Sequence, residues 1–185
     1  MFLTGLPASG KTTIAHALMA KLEAESGCKP VLLDGDMVRA ALTPVLGFSK
    51  EDRDANIDRI GSSALKAARP GAIVVCAAIA PYAEARDRNR ALMEREDVAY
   101  LEIFVDTPLQ TCVARDPKGL YRDAKRGIVK HLTGVDDPYE RPTSPDMIIE
   151  TDKVTRDEAV ERITTLLQDR NLFFSQRGGS FYENK

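Results

Sequence analysis

Gly5-Leu6-Pro7-Ala8-Ser9-Gly10-Lys11-Thr12, near the start of the chain, matches the phosphate-binding pattern G-x-x-x-x-G-K-[ST]. Glycines let the backbone curl so that successive N–H groups point at phosphate oxygens, and the following helix adds its positive N-terminal end. We expect Lys11 to reach the β- and γ-phosphates of a nucleotide, and the Thr12 hydroxyl to bind Mg²⁺. The motif leaves open whether the protein is a kinase, a motor or a switch. The predicted nucleotide contacts are Gly5, Ala8, Ser9, Gly10, Lys11, Thr12 and Thr13.

Strand-like and helix-like segments alternate along the rest of the chain, which is typical of a parallel sheet covered by helices. Two of the helix starts carry capping pairs, Ser49 with Asp52 and Thr155 with Glu158. We therefore predict an α/β protein with the three-layer P-loop NTPase fold and a mostly parallel sheet. The predicted strands are Phe2–Thr4, Pro30–Leu33, Ala72–Ile79, Ala99–Val105 and Met147–Glu150, and the predicted helices are Thr12–Ala24, Lys50–Ala68, Tyr82–Arg95, Leu109–Arg115 and Thr155–Gln168.

The length of 185 residues suits one compact domain. Residues 116–145 are rich in Lys, Arg, Gly and Pro with weak periodicity, which is typical of a lid or binding loop. We predict a single domain over residues 1–172, with a basic lid over about 116–145, and a partly disordered tail over 173–185. Only Met1–Thr4 precede the glycine loop, which predicts either a shortened first strand or a chain cut from a longer one.

The charge balance argues against two classes of partner. The 26 basic and 28 acidic residues give a formal net charge of −2, whereas binding to nucleic acid or to an acidic membrane needs a basic surface. No apolar stretch approaches the roughly 20 residues that span a bilayer. Cys28, Cys76 and Cys112 have no paired spacing, which favours a reducing, cytoplasmic location.

An acidic pair, Asp34 and Asp36, follows the second predicted strand. Many P-loop proteins place a metal-binding Asp after a later strand, but Ala72–Ile79 runs into Ala80-Pro81 without a carboxylate, so another acid must serve the metal. The carboxyl ends of parallel strands form the edge at which ligands bind. Two carboxylates there can divide the work, one ordering Mg²⁺ and its waters and the other accepting the proton of an acceptor hydroxyl. Asp34 is the predicted metal ligand, and the choice of base between Asp34 and Asp36 stays open. A solvated acidic turn is the alternative. The predicted catalytic residues are Lys11, Asp34 and Asp36.

Several further segments resemble those of the adenylyl-sulfate (APS) kinase family. The family patterns are L-D-G-D-N-x-R, L-G-F-S…D-R…N-I, F-V-D-x-P-L…C…R-D-P-K-G-L-Y and T-G-[IV]-D-x-P-Y-E. The resemblance extends from about Phe2 to about Leu172, and its R-D-P-K-G-L-Y and T-G-V-D segments are far more specific than the phosphate loop. The matching segments are LDGDMVR at 33–39, LGFS at 46–49, EDR at 51–53, NI at 56–57, FVDTPL at 104–109, Cys112, RDPKGLY at 115–121, TGVD at 133–136 and PYE at 138–140.

The resemblance implies transfer of the γ-phosphoryl group of MgATP to the ribose 3′-hydroxyl of APS, giving 3′-phosphoadenylyl sulfate (PAPS) and ADP. It implies that ATP and Mg²⁺ are the cofactors, that ATP and APS are the small-molecule partners, and that the chain forms a homodimer. It is compatible with fusion to, or association with, ATP sulfurylase. By family position, Arg115 contacts ATP, Arg39, Arg53 and Asn56 hold the sulfate–phosphate end of APS, Phe48 stacks on its adenine, Lys118 and Lys130 reach the phosphates from the lid, and Asp36, Ile79 and Leu132 also contact the substrate.

The residues alone allow plainer interpretations: Arg39 and Arg53 as helix-surface arginines, and Phe48 as a core anchor. Departures from the family pattern also matter. Ala80 stands where some members carry a serine that could be phosphorylated, so only direct in-line transfer is expected. Leu132 replaces an aromatic residue whose stack on a base is worth about 1–3 kcal/mol, and Met37 replaces a common Asn. These two changes leave open a second interpretation, in which the protein is a kinase for another small hydroxyl acceptor. The third interpretation is a non-catalytic domain that binds APS or PAPS.

Overall fold

The structure is a computed structural model that describes residues 1–27, 29–41 and 47–173. Strands and helices alternate along the described ranges, as the sequence predicts. Its strands are β1 (Phe2–Thr4), β2 (Val31–Asp34), β3 (Val74–Ala77), β4 (Glu102–Val105) and β5 (Met147–Ile149), and its helices are α1 (Lys11–Ser26), α2 (Gly35–Ala41), α3 (Lys50–Ala68), α4 (Ala83–Arg95), α5 (Leu109–Arg115), α6 (Leu120–Lys125) and α7 (Arg156–Asp169).

The five strands form one sheet in the order β2-β3-β1-β4-β5, and each described pairing is parallel. Leu3 of β1 lies opposite Ala77 of β3 and Ile103 of β4, so the central strands end at the same level. The sheet therefore presents all its carboxyl ends at one edge, where ligands bind in folds of this class. The predicted α/β class and parallel sheet are confirmed.

Helices cover both faces of the sheet, which gives three layers. On one face, α1 and α7 pack over a core that includes Leu3, Val75 and Ile103. On the other face, α3 and α4 pack over a core that includes Val74 and Cys76. Consecutive residues of β3 thus enter opposite cores, because side chains of a strand alternate between its two faces. Every residue of β3 is buried, as expected for a central strand.

The described structure contains two helices that the sequence does not predict, α2 and α6, and two of its strands are shorter than predicted. Helix α2 follows β2 without a connecting turn, and Gly35 is needed there because a Cβ would lie 2.9 Å from that of Ala78. Helix α6 forms within the predicted lid after Gly119, whose φ of 69° is left-handed. Strands β3 and β4 are shorter than predicted, although Ile73, Ala78 and Leu101 just outside them still form backbone hydrogen bonds to neighbouring strands. The capping pairs at Ser49 and Thr155 are both present.

The ends of the described ranges bear on other expectations. Phe173, the first residue of the predicted tail, is buried against the α1–α7 core. Residues 174–185, as well as Cys28 and Leu46, lie outside the described residues. Within the described ranges, each helix falls short of the combined length and apolarity that crossing a lipid bilayer requires.

The contact between α3 and α4 at Gly61 gives a stability prediction. A Cβ on Gly61 would lie 2.0 Å from Oδ1 of Asn89, and Asn89 is held in place by donating from Nδ2 to the Ile57 carbonyl oxygen at 3.1 Å. We expect Gly61→Ala to lower the free energy of unfolding by about 1–3 kcal/mol, because the overpacking outweighs the better helix propensity of alanine. Urea denaturation would measure it, with Ser62→Ala at the adjacent exposed position as the control; equal or higher stability for Gly61→Ala would contradict the prediction.

Candidate functional site

The phosphate loop joins β1 to α1 at the carboxyl edge of the sheet. Gly5 is required at the start of this loop, because a Cβ would lie 2.4 Å from the Val105 carbonyl oxygen of β4. Gly10, with φ at 105°, precedes α1 without a side-chain cap, so the first-turn N–H groups of α1 face the loop. This arrangement suits an anion, since the N-terminal end of a helix carries unsatisfied N–H donors and a partial positive charge.

Lys11 lies at the centre of the loop. Its ammonium donates to the carbonyl oxygens of Gly5 at 2.9 Å and Leu6 at 2.6 Å, and to the Ser9 hydroxyl at 3.2 Å. Burial lowers the pKa of Lys11 to about 8, because an ammonium loses hydration inside the protein. A polyphosphate in the loop would replace these neutral acceptors with charged ones and favour the protonated form.

A convergent set of donors holds the loop from behind. The carbonyl oxygen of Ser9 accepts from Thr107 Oγ1 at 3.0 Å, Thr151 Oγ1 at 2.9 Å and Arg115 Nη1 at 3.4 Å. Arg115 also donates to Thr151 through both of its terminal nitrogens. Residues that follow β4 and β5 therefore fix the loop, and Arg115, for which a nucleotide contact is predicted, lies beside it.

The acidic pair faces the phosphate loop across the end of β3. The Thr12 hydroxyl donates to Asp34 Oδ2 at 3.0 Å, and Asp34 Oδ1 accepts from the backbone N–H groups of Asp36 and Met37 at 3.0 and 3.4 Å. Hard oxygen ligands of this kind fit Mg²⁺, which uses one or two carboxylates together with substrate phosphates and water. Asp36 pairs instead with the ammonium of Lys118, which reaches it from the predicted lid. The structure thus brings together both proposed metal ligands and both carboxylates.

An aromatic ring flanked by arginines forms the far side of the site. Phe48 is 63% exposed, which excludes the interpretation of this residue as a core anchor. The guanidinium carbons of Arg39 and Arg53 lie 5.0 and 6.0 Å from the ring centroid, within the range of a cation–π contact. Arg39 also donates to the Gly47 carbonyl oxygen. A flat, exposed ring with cations beside it suits a base that carries an anionic group.

Arg53 is buried, so it is not a helix-surface arginine. Its Nε donates to the Phe48 carbonyl oxygen at 2.9 Å, and its terminal nitrogens donate to Thr133 Oγ1 and the His131 carbonyl oxygen. It also forms an ion pair with Asp137 at 3.0 Å. Arg53 therefore ties α3 to the second half of the predicted lid, in addition to lining the cleft.

Asn56 supplies an unused acceptor at the same place. It is 4% exposed; its Nδ2 donates to the Gly35 carbonyl oxygen at 3.4 Å, while its Oδ1 is buried without a hydrogen-bond partner. A buried unpaired acceptor costs free energy unless a ligand satisfies it. Asn56 and Ile79 both line the cleft.

These groups line one cleft of about 620 Å³. Two predicted substrate residues do not reach it. Lys130 is exposed and lies away from the lining. Leu132, which belongs to the predicted lid, is 6% exposed and packs with Cys112 and Tyr121 in a small buried cluster instead of lining the cleft. The predicted residues that line the cleft are Ala8, Gly10, Lys11, Thr12, Thr13, Asp34, Asp36, Arg39, Phe48, Arg53, Asn56, Ile79, Arg115 and Lys118.

Sequence reasoning missed several residues of the site. Thr107 and Thr151 hold the loop, and Thr155 and Arg156 at the start of α7 line the cleft. The positions of Thr107 and Thr151, each two residues after β4 or β5 at the carboxyl edge of the sheet, are the signal that could have identified these two residues.

Comparison with known proteins identifies the family. The family model described as adenylylsulphate kinase matches residues 1–150. The chain is 47% identical over 169 residues to an adenylyl-sulfate kinase of Picosynechococcus sp., a match that covers 91% of this chain and 93% of the relative. It is 45% identical over 175 residues to the adenylyl-sulfate kinase of Marinobacter nauticus, covering 95% of this chain and 86% of the relative.

A solved structure agrees with these matches. The APS kinase of Mycobacterium tuberculosis, in complex with AMPPNP and APS, superimposes with a TM-score of 0.87 and 40% identity, covering 90% of this chain and 95% of that chain. A family model that matches most of the chain, relatives at such identity and a common fold lead to one conclusion. The chain belongs to the adenylyl-sulfate kinase family.

Proposed function

We propose that this protein transfers the γ-phosphoryl group of MgATP to the ribose 3′-hydroxyl of APS, giving PAPS and ADP. The observation that carries the proposal is the common cleft. The phosphate-binding groups Lys11 and Thr12 and the carboxylates Asp34 and Asp36 face each other within it. Phosphoryl transfer depends mainly on positioning and on neutralising oxygen charge, and this cleft has groups for both.

The two carboxylates have different partners and therefore suit different roles. Asp34 accepts hydrogen bonds from the Thr12 hydroxyl and from two backbone N–H groups, so its carboxylate oxygens are held in fixed positions that suit a metal ligand. Thr12 and Asp34 would hold Mg²⁺, which when bound supplies charge neutralisation at the phosphates. Asp36 has one salt-bridge partner among the described residues, Lys118, and a largely exposed carboxylate. Asp36 accepts the proton of the acceptor hydroxyl while the oxygen of that hydroxyl attacks the γ-phosphorus. The bond between the γ-phosphorus and the β-phosphate oxygen breaks, and ADP leaves.

The residues on the far side of the cleft suit the binding of the acceptor, APS. Phe48 offers a face to the adenine of APS, and Arg39 beside it attracts the sulfate–phosphate end. Asn56 Oδ1 accepts a hydrogen bond from the substrate and so satisfies its buried oxygen. Lys118 is close enough to the acidic pair to shield the negative charge that develops on the phosphate oxygens during transfer. In the free protein it neutralises Asp36 instead.

The alternatives gain little support from the site. A non-catalytic APS-binding domain would not need the phosphate loop, the metal ligands and the second carboxylate, and all of these line the cleft. Leu132, one of the two residues that left another acceptor open, is buried against Cys112 and Tyr121, so its aliphatic side chain does not line the cleft. Met37 is exposed, and nothing in the described structure links it to an acceptor.

Assembly and location are part of the proposal. The family resemblance favours a homodimer and an association with ATP sulfurylase. A hexameric APS kinase from Thiobacillus denitrificans, 34% identical with a TM-score of 0.70, contains a much longer chain, of which this one covers 29%. A cytoplasmic location agrees with the scattered cysteines, of which Cys76 and Cys112 are free and buried.

Substituting one residue on each side of the cleft tests the proposed reaction. We expect Lys11→Ala and Asp36→Asn each to lower kcat by at least roughly 100-fold in a coupled ADP-release assay with APS, because each removes a group that acts in the transition state. Lys66→Ala and Asp87→Asn, at exposed helix positions outside the cleft, are the matched controls. Turnover with another hydroxyl acceptor and none with APS would refute the substrate assignment.

The exposed ring of Phe48 tests the acceptor pocket. We expect Phe48→Ala to raise KM for APS by roughly 5- to 150-fold, the equivalent of losing one base–aromatic stack of about 1–3 kcal/mol, with KM for ATP unchanged. Ile148→Ala, at another exposed apolar side chain, is the control. An unchanged KM for APS would show that the ring does not bind the base.

The lowered pKa of Lys11 predicts proton uptake when a nucleotide binds. With a pKa of about 8, Lys11 is about half deprotonated at pH 8 in the free protein and becomes protonated beside the phosphates. Calorimetry of MgADP binding at pH 8, in buffers of different ionisation enthalpy, should show uptake of about half a proton, falling towards zero at pH 6.5. Lys11→Arg, which stays charged, should abolish the uptake. Equal uptake in both proteins would show that Lys11 is not the group that gains the proton.

A further inference from the structure

Arg86 is a buried arginine of α4 that lies outside the cleft lining and is 3% exposed. Its Nη1 donates to the Ala80 carbonyl oxygen at 2.7 Å and its Nη2 donates to the Glu140 carbonyl oxygen at 2.8 Å. Its Nε lies 2.8 Å from Glu102 Oε1, but that oxygen has no aligned hydrogen bond, so the contact is an ion pair. One guanidinium thus joins three separate parts of the chain.

The first of these parts is a wall of the cleft. Ile79 and Ala80 both line the cleft beside the acidic pair. Ala80 has a φ of 46°, a left-handed conformation that a residue other than glycine keeps only when surrounding contacts hold it. Arg86 supplies such a contact at the carbonyl of Ala80 itself. Thr4 supplies another, since its hydroxyl donates to the Ile79 carbonyl oxygen at 2.6 Å.

The second part is residues 138–141, near the end of the predicted lid and called the end of the lid below. Glu140 donates from its backbone N–H to the Pro81 carbonyl oxygen at 2.8 Å, and its carboxylate accepts from the Ala83 N–H at 2.7 Å. The Tyr139 hydroxyl lies 2.9 Å from Thr4 Oγ1. The end of the lid and the cleft wall are therefore joined on both sides of Arg86.

A stack of side chains continues this junction into the sheet. The guanidinium of Arg86 lies 5.9 Å from the centroid of the Tyr139 ring, and that ring stacks on Phe104 of β4 with centroids 5.9 Å apart. The guanidinium of Arg141 lies 4.9 Å from the centroid of the Phe104 ring and pairs with Asp106. The charge of Arg86 is balanced by the buried Glu102 at the start of β4. The stack and the ion pair both anchor Arg86 to the rigid sheet.

We propose that Arg86 is a positioning residue for the transfer: by holding the carbonyls of Ala80 and Glu140 together, it fixes the acceptor wall of the cleft against the end of the lid. The inference rests on the proposed function, because the wall that Arg86 fixes is the one beside the acceptor and the acidic pair. The planar guanidinium is needed, since a lysine ammonium cannot hold two carbonyls and a carboxylate in one fork. Misplacement of an acceptor by about 1 Å costs a large part of the rate.

Arg86→Lys tests this role, because it keeps the charge opposite Glu102 and so favours retention of the fold. We expect kcat/KM for APS to fall roughly 10- to 100-fold, while the affinity for MgADP changes less than about twofold, since the phosphate loop is not touched. Asn89→Ala is the matched control: Asn89 lies on the same helix and is equally buried at 2% exposure, but it does not contact the wall. It should lose thermal stability and keep its kcat/KM at a temperature well below its melting transition.

Amide hydrogen exchange gives a readout that does not depend on activity. We expect Arg86→Lys to speed exchange at the Ala83 and Glu140 amides, whose partners lie across the junction, and Asn89→Ala to leave both unchanged. Tyr139→Phe, which removes the contact with Thr4, should speed the same exchange to a smaller extent and serves as the second variant if Arg86→Lys does not fold. Unchanged exchange, or a loss of kcat/KM no greater than that of Asn89→Ala, would overturn the proposal. A wild-type protein without turnover on APS would refute the proposed function, and the exchange comparison would still decide whether Arg86 fixes the wall.

Discussion

The parallel pairing of β2, β3 and β1 is the constraint on which the site depends. Because these strands run in the same direction and in register, the loop after β1 and the acidic pair after β2 emerge at the same edge of the sheet. The small residues at the end of β3 leave a gap between them, and Thr12 closes part of that gap by donating to Asp34. An antiparallel β2 would carry its acidic pair to the opposite edge, more than ten ångströms away for a strand of about four residues.

The two sides of the cleft are supported in different ways. The nucleotide side is held by hydroxyls and a guanidinium that meet on one carbonyl oxygen, that of Ser9, and by the compact packing of α1 against α7. The acceptor side depends on longer arginine side chains that reach between segments, Arg53 from α3 and Arg86 from α4. Both arginines are buried and paired, since a buried charge without a partner would be costly.

Local features of the sequence predicted much of this arrangement. The phosphate loop, the acidic pair and the helix caps each depend on residues within a few positions of one another, so a pattern in one sequence identifies them. Thr107, Thr151 and Arg86 were not identified, because their roles arise only when distant segments meet. Leu132 shows the same limit: its alignment with an aromatic position suggested the cleft, whereas its packing with Cys112 and Tyr121 depends on the path of residues 116–133. Family resemblance assigned Arg53 to the substrate, and only the structure revealed its ties to Thr133 and His131.

The carbonyl of Ser9 also connects segments of the chain that are synthesised at different times. Its partners Thr107 and Thr151 come 98 and 142 residues later in the sequence. Because synthesis runs from the N-terminus, the loop leaves the ribosome well before the two threonines that fix its shape. A nascent chain that ends before Thr151 would lack at least one of these partners. Nucleotide binding to a fully supported loop can therefore stabilise the polypeptide only after Thr151 has been made.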